Sequence, residues 1–301
     1  MATLYSNGYF GQIVEAFVGK GPDMALEAAA RLAQAIAPAM LTALTLYLLA
    51  LYVGYLRAGA AAAFADAALK IVLWLFLVAL AFNADNYAIV AKTMMSLPDE
   101  LSQSALGAKL DGSAMDASFN RIVTAMEGLR VAAADLPAAE IADKMLVNLT
   151  VFAGYLTVCL TFVVILAYYI LAKAQMLILA ISGPVFLAFM AYPSTRSWGM
   201  NWAGHALSFA FLVLALNLVN RLYLNFYVNY CVGIVRAGFT PGMAVVVAPA
   251  VLSQLVIAFV IFALLIVNCS RLFQSLFSGA GVSLMAHSIH SVLRRSGKDE
   301  G

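Results

Sequence analysis

Charges are sparse along this chain, and the uncharged gaps between them organise it. The gaps run over 32–56, 71–84, 145–172, 174–195, 197–220 and 237–270. A helix needs roughly 20 apolar residues to cross hydrocarbon at about 1.5 Å per residue, so the first, third, fourth and fifth suffice unaided. The last is longer than needed, and Pro249 suits the first turn of a helix over 249–270. The second spans only if Lys70 snorkels at one end and Asp85 sits among headgroups at the other. The competing reading makes Asp85 an intramembrane proton-relay carboxylate. These apolar runs are continuous, without the alternation of barrel strands, and a helix is then what satisfies the backbone in lipid. The pattern predicts an all-α, polytopic helical membrane protein with five to six transmembrane helices, an N-terminal amphipathic helix and one helical loop.

Two shorter periodic stretches stand apart from the spans. Phe10, Ile13, Val14, Phe17 and Val18 follow i, i+3, i+4, i+7, i+8 spacing, one stripe of a helix. "GKGPD" (19–23) breaks it, and Pro22 suits the opening of the next helix. The short helix either lies on the membrane surface, docks to a partner, or packs on its own spans. The polar region 85–144 holds nine acids against five bases. Inside it Met115, Phe119, Ile122, Met126 and Leu129 step by four and three, a narrow apolar seam of the width used against another helix. Ser113 with Asp116 offers a capping-box-like start, and Leu136-Pro137 an end. The seam either folds onto its own neighbours or forms a docking surface for a partner subunit. The chain thus divides into an N-terminal amphipathic segment (1–31), two transmembrane helices (32–84), a loop with its amphipathic helix (85–144), a transmembrane cluster (145–270) and a basic tail (271–301).

Composition sharpens the class. The chain is 64% hydrophobic and 11% charged, with mean hydropathy +0.94, where soluble domains carry about 25% charged residues. The net charge of +2 is unremarkable, and no basic stretch resembles a nucleic-acid-binding surface. Cys159, Cys231 and Cys269 lie in apolar segments with no CxxC pair, as buried small hydrophobes do. The first nineteen residues hold no Lys or Arg, so the first span is expected to act as the targeting signal in place of a cleaved one. With six crossings and the N-terminus outside, five Lys and Arg fall inside and twelve outside, against the positive-inside rule. Without the long loop the margin is seven against five, and sidedness stays open. A five-span alternative lets 197–220 enter and return, or lie tilted in a subunit contact. Tyr223, Tyr227 and Tyr230 with Phe226 would then form an interfacial belt, with Arg221 reaching headgroups.

Candidate chemistry is thin. His287 and His290 sit three apart, too few ligands for zinc, and His205 sits in an apolar helix where hydrogen bonding outweighs catalysis. GxSxG, Walker and HExxH patterns are absent from the sequence. Lys173, Arg196, Arg221, Arg236 and Arg271 bracket apolar runs, where snorkelling is the default. Asn217, Asn220, Asn225 and Asn229 either glue helices or line a wet cavity. No enzyme, cofactor or metal site is expected. An independent channel or solute transporter, and a hydrolase using His205, are the competing function classes.

One stretch carries more. "AKAQMLILAISGPVFLAFMAYPSTRSWGMNWAGHALSFAFLVLALNLV" (172–219) interrupts an apolar run with Gly183-Pro184, turns at Tyr192-Pro193 and Arg196, then continues with Trp198 and Trp202. Pro184 removes a donor and frees the carbonyl of Ala180, tolerable in lipid only where protein or water replaces it. The expectation is a kink facing a subunit contact or an aqueous lumen. The stretch resembles the TrbL conjugal-transfer family, polytopic inner-membrane subunits of type IV secretion systems. The resemblance implies a channel or platform subunit in the bacterial inner membrane, with the N-terminus and the 85–144 loop extracytoplasmic. It implies a ring-like homo-oligomer, with a pentamer as one candidate. Implied partners are a minor pilin, an inner-membrane scaffold, membrane lipid, a translocated DNA or protein substrate, and ATPases as separate chains.

Overall fold

The computed structural model describes residues 8–58, 71–72, 74–134, 141–192, 194–237 and 244–296. Every regular element among them is an α-helix: α1 (Tyr9–Val18), α2 (Gly21–Ala58), α3 (Trp74–Phe82), α4 (Ala84–Leu106), α5 (Gly112–Ala134), α6 (Ile141–Met190), α7 (Arg196–Ala237) and α8 (Ala244–Ser296). Four segments are long and apolar enough to cross a membrane: Tyr9–Gly54, Lys144–Met190, Arg196–Tyr230 and Ala250–Phe277. Helices α3 and α4, bent by 82° at Asn83, make a fifth if counted together. The protein is a multi-pass helical membrane protein.

The helices differ from the gap analysis in three places. The gaps 145–172 and 174–195 join into one α6 of 50 residues, about 75 Å at 1.5 Å per residue. Lys173 does not end it, because lysine is a good helix former, and at 9% exposure it is buried instead of snorkelling. Helix α7 is continuous, so 197–220 does not enter and return. Helix α8 opens at Ala244, which leaves Pro249 beyond its first turn. By contrast Pro22 does fall in the first turn of α2, and Asp85 is exposed at the start of α4, where the Asn83 side chain accepts the Asp85 and Asn86 amides at 3.0 and 3.3 Å. Asp85 is thus exposed at a capped helix end and not a buried carboxylate.

The chain divides into two compact units, and α6 and α7 each give part of their length to both. The first unit takes the residues up to Gly19, Pro98–Ala172 and Phe211–Leu272. Its core is a run of aromatic rings. Phe10, Phe119 and Phe162 meet pairwise at 5.5 Å, Phe162 continues to Tyr223 at 6.1 Å, and Tyr223 to Phe262 at 5.1 Å. Such pairs add about 0.5–1.5 kcal/mol each beyond area burial. Tyr223 and Tyr227 are fully buried here, which corrects their assignment to an interfacial belt: four apart, they share the α7 face that meets the core. On α6 an apolar stripe (Leu149, Phe152, Leu156, Leu160, Val163) is exposed. In the second unit (Lys20–Leu97, Lys173–Ala210 and Phe273 onward), Ala25, Ala29 and Ala33 at four-residue spacing are buried. Gly21 opens the same row and lies against Leu177, since small residues allow helices to approach closely.

Candidate functional site

In the second unit α6 continues through Pro184 to Met190. The N–H that Pro184 lacks would have bonded the Ala180 carbonyl. That carbonyl accepts a short hydrogen bond from the Tyr87 hydroxyl, 93 residues away in sequence. One residue earlier, the Leu179 carbonyl accepts the Trp202 indole Nε1–H at 2.9 Å. Ala180, Tyr87 and Trp202 are all buried. The freed backbone group is therefore met inside this chain, by the neutral Tyr87 hydroxyl, and is buried within it. Gly183 is what lets the donors in. A Cβ there would overlap Tyr87 Oη and lie 3.0 Å from Trp202 Cζ2.

The corner after α6 is closed by its own backbone and by Thr195. The Ala191 and Tyr192 amides reach the Ala188 and Phe189 carbonyls at 3.2 Å. The Thr195 hydroxyl adds a bond to Phe189 O at 3.0 Å, and Thr195 O receives Trp198 N at 2.9 Å. Tyr192 packs edge-on against Trp74 at 4.3 Å and against Tyr47 at 5.6 Å. Trp198 is exposed and rests on Phe189 at 5.6 Å. Arg196 is exposed at the start of α7, and Gly199 admits the Phe186 carbonyl, 2.6 Å from where a Cβ would stand. Pro193 lies outside the described residues. The family-like residues thus build one helical hairpin, with Tyr87 added from α4. No sequence signal marked Tyr87; an internal proline announces an orphan carbonyl but not its donor.

The amphipathic stretches meet each other in the first unit. Helix α1 docks on α5, and the Asp116 carboxylate accepts the Phe10 and Gly11 amides at 2.9 Å each. A carboxylate at a helix N-terminus satisfies orphan donors and the positive end of the dipole together. Asp116 therefore caps α1, and the expected capping box with Ser113 does not form. Asp111 caps α5 in its place, accepting Ala114 N at 2.8 Å and the Ser113 hydroxyl at 2.9 Å. The close approach needs Gly112, since a Cβ there would overlap Gly11 Cα. Of the seam, Met115, Ile122 and Met126 are buried within the chain and Phe119 packs on Phe10 and Phe162; the Leu129 side chain lies outside the described residues. Of the α1 stripe, Phe10 is buried, Ile13, Val14 and Val18 are half-buried and Phe17 is exposed.

Asparagines join the same unit. Asn217 Nδ2 donates to Ala108 O at 2.7 Å, and Asn220 Nδ2 to Ser118 Oγ at 3.2 Å. The Tyr227 and Thr157 hydroxyls meet at 3.2 Å. On the wet face of α5, the Arg130 hydrogen bond holds the Glu127 carboxyl below the ordinary glutamate range.

These arrangements spend their donors on backbone and helix ends. His205 stacks on Phe209, and among the described residues no three His, Cys, Asp or Glu come together to hold a metal. The side chains of His287 and His290 lie outside the described residues. No curated protein matches the chain. Residues 44–268, most of its length and including the whole hairpin, match the family described as TrbL/VirB6 plasmid conjugal transfer protein. The chain belongs to that family and is a component of conjugal transfer and type IV secretion.

Proposed function

We propose that this chain is a non-enzymatic channel or platform subunit in the bacterial inner membrane. It assembles as a ring-like homo-oligomer, a pentamer being one candidate, and passes DNA–protein or effector substrates across the envelope. It anchors pilus assembly through a minor pilin and an inner-membrane scaffold, and separate ATPases supply the energy. The observation that carries this reading is the family match over 44–268. The exposed apolar stripe of α6 supports it, as a surface suited to lipid or a sister copy.

The test uses donor cells lacking the chain and complemented with it, scored for conjugal transfer and for the size of the detergent-extracted complex. Transfer restored together with a multimeric complex is expected. A strictly monomeric chain in the presence of the complete apparatus would overturn the reading. So would solute flux catalysed by the purified chain alone in vesicles.

A further inference from the structure

Helices α5 and α7 flank an open cleft of about 650 Å³ that none of the contacts above explains. Its polar lining is Asn120, Arg121, Thr124, Arg221 and Asn225. Leu224, Val228 and Ala125 complete it with apolar surface. Arg121 is exposed and Arg221 half-buried. Neither guanidinium has a hydrogen-bond or carboxylate partner among the described residues, whereas Arg31 and Arg130 are each paired at 2.5 Å. Two unpaired arginines lining one concavity can together serve an anion, because guanidinium forks match phosphate oxygens.

The level of the cleft says which anion. Arg221 directly follows residues 197–220, which carry no Asp, Glu, Lys or Arg and exceed the roughly 20 residues needed to cross hydrocarbon. Arg221 lies nine residues from the end of the Arg196–Tyr230 span, which at 35 residues exceeds the hydrocarbon thickness, so its guanidinium can reach the headgroups. Phe226, which is exposed, stacks on Tyr230 at 5.7 Å on the same stretch of α7, an aromatic pair of the kind found at membrane interfaces. Apolar Leu224 and Val228 beside the donors suit a glycerol and the root of an acyl chain. A polynucleotide would instead need a longer basic track and aromatic stacking platforms in the groove, and none lines this one. We infer that the α5–α7 cleft holds the phosphate of one anionic phospholipid headgroup, gripped by Arg121 and Arg221.

Native mass spectrometry of the full chain, extracted in mild detergent and titrated with phosphatidylglycerol, tests this. One lipid retained per chain is expected, with phosphatidylcholine retained about tenfold less, and retention should fall as salt is raised. Arg121→Gln with Arg221→Gln should lower phosphatidylglycerol retention about tenfold, in the range two charge-assisted hydrogen bonds supply. Neither arginine holds the fold, so the melting temperature should stay put. If the double variant unfolds, either single variant should still lose several-fold. Equal retention in the variants, or retention indifferent to salt or to headgroup, would overturn the site. Inorganic phosphate displacing the lipid at equal concentration, or a single-stranded oligonucleotide binding more tightly than phosphatidylglycerol, would overturn the lipid assignment.

Discussion

The two units satisfy orphaned backbone groups by opposite chemistry. At the Gly183-Pro184 break the orphan is a carbonyl deep in an apolar helix, and neutral donors from Tyr87 and Trp202 serve that turn. At the start of α1 the orphans are amides near a polar loop, and the charged carboxylate of Asp116 serves two of them. Burial decides which chemistry is allowed. A charge placed beside Ala180 would lose its hydration with nothing to replace it, whereas Asp116 is part-exposed and faces a helix dipole of favourable sign. Both solutions depend on glycine to bring the donor or acceptor close enough.

That contrast can be broken experimentally, most severely at the glycine with backbone opposite it. Gly112→Val meets Gly11 Cα, which no side-chain rotation relieves. It should part α1 from α5 and cost about 3 kcal/mol or more from overpacking and the lost cap, read as early proteolysis of the N-terminal segment and a lowered melting temperature. Tyr87→Phe leaves the Ala180 carbonyl buried without its donor, at about 1–3 kcal/mol. Adding Pro184→Ala should recover most of that loss, because the new amide supplies the missing i→i−4 bond. If the double variant is no better than Tyr87→Phe alone, the hydroxyl is not there to replace the proline's donor. Asp116→Asn keeps the shape but only one good acceptor and no charge, and should cost about 1 kcal/mol in thermal unfolding. Smallest is Thr157→Val, which removes a hydroxyl partner of Tyr227 at about 0.6 kcal/mol, typical of hydrogen bonds between membrane helices. A loss as large as that of Tyr87→Phe would erase the distinction between an ordinary contact and an obligatory one.

Much of the plan was legible in the residues. Charge-free gaps located most of the apolar helices, since lipid excludes charge locally, and Gly183-Pro184 with the tryptophans marked the hairpin. Span ends were less legible. A lone Lys173 reads as a boundary in a hydropathy scan yet is a good helix residue, so α6 runs on through it. Tyr223 and Tyr227 read as an interfacial belt but are core, because aromatic side chains serve both places and only the neighbouring helices choose between them. Ser113 and Asp116 have the spacing of a capping box, yet Asp111 captured the α5 end and released Asp116 to cap another helix.

What the sequence determined alone is therefore the helical membrane class, the position of the broken turn and the identity of the orphan carbonyl. These follow from composition, from period and from the covalent absence of one N–H, all local properties. Only the tertiary structure decided that Tyr87 finds Ala180 and that Asp116 finds Phe10 and Gly11, across separations of 93, 106 and 105 residues. Pairings at that range leave no periodic trace in the chain, because they are selected by packing of whole helix faces and not by the spacing of neighbours.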